Sequence, residues 1–172
     1  MIDIETLGTR SNSVVVSIGA CMFNSEGVYD HTHFYSRLAL QEQTAHGFEM
    51  DVDTVSWWMT QSSKARKVFS TGEIAEPVRP TLLNLMWWLD RHAPLDGVWG
   101  NGPDFDNVIV ANLMRAYDVE PWSYRLNRCY RTLRAACPSQ GVERVGELHN
   151  ALDDAVTQAT HASKLMRELG WS

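Results

Sequence analysis

The chain has 172 residues, of which 44% are hydrophobic, and a formal net charge of -6. That length is enough for one domain with a core of its own, and the acidic balance excludes a protein that coats nucleic acid through a broad basic face, though not an enzyme that gathers carboxylates around cations. No linker-like or repetitive stretch interrupts the chain, Asp3 and Glu5 stand where a signal peptide would be basic, and no apolar run approaches the ~20 residues that span a membrane, so a soluble, cytoplasmic protein without membrane contact is expected.

The chain opens in β structure. "MIDI" is a short apolar start, "SVVVSIGACMF" is rich in β-branched residues, and "VYDHTHFYSRL" follows a turn-forming "NSEG", which together predict a three-stranded meander. From Asp51 the period changes: Val52, Val55, Trp58 and Met59 repeat at helical spacing, and Leu82, Leu85, Met86 and Leu89 do so again after Pro80, with Trp87 and Trp88 read as core. "GVWGNG" predicts a short strand and glycine-rich turn, and a helix follows from Phe105 to Tyr117. The tail from His149 to Leu169 places Leu152, Ala155, Ala159, Ala162 and Leu165 on one helical face before Gly170 ends it. Strands first and helices interleaved with short strands afterwards predict the α/β class, a mixed sheet flanked by helices.

Three segments could carry chemistry. Asp3 and Glu5 lie two apart on the first strand, so alternation puts both carboxylates on one face; the pair reads either as a divalent metal site or as a solvated strand end. Asp104 and Asp106 open the helix after "WGNGP", where a helix cap is the competing explanation. His149, Asp153 and Asp154 stand at the start of the last helix; a five-residue step would turn His149 and Asp154 about 140° apart within a helix, so the histidine belongs just before it and Asp154 in its first turn. Cys21, Cys129 and Cys137 lack the spacing of a zinc site or disulfide framework and read as small buried thiols of a reducing compartment.

Taken in order, "MIDIETLGT", "WGNGPDFDN" and "HNALDDA" resemble the three exonuclease motifs of the DEDDh superfamily, whose fold is RNase H-like. With "TLGTRSNSVVVSIGA" and the Trp57-Trp58 pair, the chain is similar over essentially its whole length to a branch of small stand-alone phage and bacterial exonucleases that includes the T4-type phage exonuclease A and a mycobacterial exoribonuclease. The resemblance implies Asp3, Glu5, Asp106 and Asp154 as ligands of two divalent ions, Mg²⁺ or Mn²⁺, about 4 Å apart, and His149 as general base. It does not require Asp104 or Asp153 as ligands, and only Met1 and Ile2 precede Asp3 where the family usually has a longer first strand. The implied activity is 3′-to-5′ removal of nucleoside 5′-monophosphates from single-stranded nucleic acid. RNA is favoured through the mycobacterial branch; a DNA exonuclease of the same mechanism and a non-catalytic nucleic-acid-binding member are the alternatives.

For the strand itself, Arg125, Arg128, Arg131 and Arg134 recur at every third residue, which on one helix makes a positive stripe that reads either as a solvated face or as a phosphate track, with Arg128 and Arg131 the expected phosphate contacts. Trp57 and Trp58 point about 100° apart on a helix, one toward the core and one open, and Trp58 is the expected base-stacking residue. The tryptophan content makes a homodimer with an apolar interface a further expectation.

Overall fold

The computed structural model describes residues 1–70, 74–137 and 141–171. Alternation along β1 (Ile2–Thr6) decides the layout: Ile2 and Ile4 enter the main apolar core, whereas Asp3 and Glu5 turn to the other face, and all five residues are buried. β1 pairs antiparallel with β2 (Val15–Phe23), from Ile2 opposite Ala20 to Thr6 opposite Val15, and β2 pairs antiparallel with β3 (Val28–Arg37). The expected meander is therefore present. Its hairpin turns on Asn24, whose Oδ1 accepts from the amides of Glu26 and Gly27. The short lead before Asp3 is tied to β2: the Met1 ammonium donates to the Cys21 carbonyl, and the Cys21 amide donates back to the Met1 carbonyl.

The next element, α1 (Leu40–Ala45), has no apolar period and escapes prediction. Gln43 anchors it: this fully buried side chain accepts from the Val15 amide and donates to the Val15 carbonyl, both at 2.7 Å, as a strand neighbour would. α2 (Val52–Thr60) starts where Asp51 caps it by accepting from the Thr54 amide, but its apolar spacing does not mark a core face, because Val52 and Met59 are open to solvent and Trp58 alone in the helix is buried. α3 (Val78–Asp90) begins two residues before Pro80, not after it, since a proline in the first turn removes no helical hydrogen bond. Leu82, Leu85 and Leu89 are buried as predicted. Trp87 is not: about 200° round the helix from Leu85, it is exposed with the Arg91 guanidinium 4.7 Å from its ring centre, and Trp88 is half-buried against Phe34.

β4 (Val98–Gly100) leads through a turn into α4 (Asp106–Ala116), and β5 (Asn127–Cys129) pairs parallel with β4 as a separate two-stranded ladder beside β1. α5 (Tyr130–Ala136) follows directly. The four periodic arginines do not share a helix: Arg125 lies in a 3-10 turn, Arg128 in β5, and Arg131 and Arg134 in α5, so the predicted stripe is broken by two changes of backbone conformation. The last helix, α6 (Ala151–Glu168), lies across β1 and β2 and buries Ala155, Ala159, Ala162 and Leu165, its inward face starting at Ala151 instead of Leu152. Gly19 of β2 sets that approach, because a Cβ there would fall 2.2 Å from the Ala151 carbonyl carbon and the Leu152 amide nitrogen. The first turns of α6 thereby come down beside Asp3 and Glu5. Among the described residues no helix is long and apolar enough to cross a membrane.

Candidate active site

Three distant segments bring carboxylates to one place. Asp3 and Glu5 come from β1, Asp106 from the first residue of α4 and Asp154 from the first turn of α6. Asp106 does not cap its own helix: its Oδ1 accepts from the Ile4 amide at 3.3 Å and its Oδ2 from the Asn101 amide at 2.7 Å, which ties α4 to the open edge of β1. Asp104, two residues earlier, is exposed. Asp3 Oδ1 accepts from Gln158 Nε2 at 2.6 Å, Gln158 lying one turn beyond Asp154 on the inward face of α6.

Asp3, Glu5 and Asp106 are all held above the ordinary carboxylate range. Burial, followed by the charges of Asp106, Glu5 and Asp154, raises Asp3 well above the ordinary carboxylate range, with Gln158 opposing. Burial and then Asp154 and Asp106 push Glu5 up to about 8, while Arg144 pulls it back. Burial lifts Asp106 to about 6 against hydrogen bonds from the Asn101 and Ile4 amides and the charge of Arg131. Asp106 is the strongest charge acting on Asp3, and Asp154 the strongest acting on Glu5.

The histidine stands where its spacing predicts. α6 is capped by Asn150, whose Oδ1 accepts from the Leu152 and Asp153 amides, and His149 precedes it in a left-handed conformation with φ +62. Its amide donates to Asp154 Oδ2 at 2.9 Å, and Glu5, His149 and Asp154 each offer a ligand atom within 4.8 Å of the others. Burial and the nearby Arg144 lower the imidazole below its ordinary value, against the pull of Asp154, which favours the neutral ring. Arg144 donates to Asp154 Oδ1 and to the Glu147 carbonyl. The Trp57 ring packs edge-on against the imidazole at 4.8 Å.

Residues 1–166 match the family of the 3′-5′ exoribonuclease Rv2179c-like domain. The chain belongs to this family. No curated protein matches it significantly. The matched range spans all three acidic segments, and nucleases of this kind generally work with divalent metals acting on a nucleic-acid substrate.

In this exoribonuclease domain the remaining expected residues divide. Arg131 lines a cleft of about 350 Å³ with Asp3, Asn101, Phe105 and Asp106. Arg128 is not with them: its guanidinium donates to the carbonyls of Asp96, Arg125 and Asn127, away from the acids. Trp58 needs correction, since it is 3% exposed and its Nε1 donates to the Thr6 carbonyl, whereas Trp57 is 43% exposed and is the open member of the pair. Sequence reasoning missed Gln158, Arg144 and the basic turn Lys64–Lys67. Gln158 shares the helix face of Asp154 through its i+4 spacing, but its partner Asp3 lies 155 positions away; Lys64 and Lys67 are two of the chain's three lysines and line a second cleft with His149 and Asn150.

Proposed function

We propose that the chain is a DEDDh-type exoribonuclease with an RNase H-like core, hydrolysing single-stranded RNA from its 3′ end to nucleoside 5′-monophosphates. One observation carries this reading: four acids from the beginning, middle and end of the sequence meet, and an imidazole stands beside them. The acidic donors Asp3, Glu5, Asp106 and Asp154 offer oxygens, which fit Mg²⁺ or Mn²⁺, whereas zinc would favour cysteine or several histidines. When bound, such cations lower the pKa of the attacking water and neutralise charge on the phosphate and leaving oxygen.

The protein's own contribution is position and proton transfer. His149 accepts the proton of the attacking water, a role its lowered pKa supports at neutral pH. Gln158 fixes one oxygen of Asp3, and the Ile4 and Asn101 amides fix both oxygens of Asp106. Trp57 and Phe105, which line a cleft of about 470 Å³ beside Glu5, stack the terminal bases, and Arg131 on one side with Lys64 and Lys67 on the other receive phosphates. The free thiols of Cys21, Cys129 and Cys137 suit the cytoplasm.

The test is a 5′-labelled strand, as RNA and as DNA, incubated with Mg²⁺, Mn²⁺ or EDTA. RNA should shorten in one-nucleotide steps with either metal and stay intact in EDTA. An undiminished ladder in EDTA would remove the metal mechanism, and a ladder on DNA alone would reverse the substrate assignment.

A further inference from the structure

The doublet Asp153–Asp154 uses both of its acids. On α6 they project about 100° apart, so Asp154 faces the carboxylates while Asp153 faces the segment that delivers His149. That segment, residues 141–149, has no regular secondary structure and is largely exposed, with Leu148 58% open to solvent, so packing alone does not fix it. Hydrogen bonds to the first two turns of α6 do. The Val145 amide donates to Thr157 Oγ1 at 3.0 Å, the Thr157 hydroxyl lies 3.1 Å from the Val145 carbonyl and 2.7 Å from that of Asp153, and the Glu147 amide donates to Asp153 Oδ2 at 2.8 Å. The His149 amide completes the series on Asp154.

Gly146 makes the central contact possible. Its φ is +66, and a Cβ added there would fall 2.3 Å from the Asp153 carboxyl carbon, so a side chain is excluded both by backbone conformation and by the carboxylate pressed against it. We propose that Asp153, seated on Gly146 and assisted by Thr157, is the latch that holds the His149 loop over the acidic cluster, and that it acts as a positioning residue for the reaction. The proposal rests on His149 being the general base, as argued above. Without the latch the turn at Gly146 loses its central contact and is held from its flanks, by Arg144 and Lys64 on Glu147 and by the His149 amide on Asp154, and a displacement of the base by ~1 Å is enough to slow a reaction about 10²-fold.

The experiment compares Asp153→Ala, Gly146→Ala and Thr157→Val with the conservative Asp153→Asn and Thr157→Ser, in saturating Mn²⁺ on a single-stranded RNA. Asp153→Ala and Gly146→Ala should lose about 10²-fold in kcat, with KM and the Mn²⁺ concentration for half-activity unchanged within about threefold. Asp153→Asn keeps an oxygen to accept from the Glu147 amide and should retain most of kcat; Thr157→Ser should likewise exceed Thr157→Val. Hydrogen exchange at the Glu147 and His149 amides should accelerate in Asp153→Ala. Should Asp153→Ala fail to fold, the threonine pair decides by the same readouts. Asp153→Ala with the parent's kcat overturns the latch, as does Asp153→Asn as slow as Asp153→Ala, which would assign the effect to charge at the helix start. A His149→Ala variant as active as the parent overturns the underlying reading of the base, whereas an inactive His149→Ala beside a fully active Asp153→Ala overturns the latch alone.

Discussion

Removing one negative charge from the cluster should stabilise the metal-free protein, and Glu5 gives the magnitude. Its carboxyl is pushed from an ordinary 4.5 to about 8, chiefly by burial and then by Asp154 and Asp106. The folded chain therefore holds the Glu5 proton more tightly than the unfolded chain does, so stability contributed by this group is present at low pH and is lost as pH rises from about 4.5 to about 8. At 1.36 kcal/mol per unit, the loss between pH 5 and pH 8 is about 3 to 4 kcal/mol, or roughly 10 °C in Tm for a domain of this size. Asp3 and Asp106 are shifted in the same direction and add to it. Differential scanning calorimetry of demetallated protein should show the parent's Tm falling across this range and Glu5→Gln flattening much of the fall. At pH 8, Glu5→Gln should melt above the parent. Mn²⁺ should restore the parent at pH 8 and do far less for the variant. A metal-free parent whose Tm rises from pH 5 to pH 8, or a Glu5→Gln variant that melts below it at pH 8, would refute the crowding argument.

Asp3→Asn should abolish cleavage while melting, without metal, at or above the parent; a much lower Tm would make Asp3 a scaffold residue. His149→Ala should reduce turnover about 10²- to 10⁴-fold with RNA affinity measured in Ca²⁺ unchanged, and a rate within a few-fold of the parent would take it out of catalysis. Trp57→Ala should weaken RNA binding by about 1 to 3 kcal/mol at constant Tm, whereas Trp58→Ala should lower stability by about 3 to 5 kcal/mol; the reverse assignment would restore Trp58 as the stacking residue. Asp154→Asn should be inactive and bind Mn²⁺ weakly, as isothermal titration calorimetry can measure.

The parts legible in the sequence are those where one local period or motif decides the outcome. Isoleucines at positions 2 and 4 alternate with acids at 3 and 5, and strand pleating alone sends the two sets to opposite faces. Asn150, a strong cap, fixes where α6 begins and so leaves His149 outside it. The tryptophan choice failed for the complementary reason. Val52, Val55, Trp58 and Met59 share a period that looks like a core face, yet α2 buries only Trp58, because the helix is held by one edge beside Thr6 and leaves the rest of its apolar stripe in solvent. Periodicity tells which residues line up, but not whether anything covers them.

The arginines failed on conformation. A spacing of three implies a common face only if the backbone stays helical, and between Arg125 and Arg134 it passes through a 3-10 turn and a strand. Gln158 and Arg144 were hidden differently: Gln158 bonds to Asp3, 155 positions earlier, and Arg144 reaches Asp154, ten positions later, from a loop without any period. The same holds for Asp153. In sequence it duplicates Asp154, and helix capping is sufficient to explain it; only the left-handed Gly146 folded back against its carboxylate distinguishes the two. A motif records the residues that meet the metals and the substrate. The residues that hold those groups still are set by which loop returns to which helix, and that is decided by the tertiary fold rather than by any spacing along the chain.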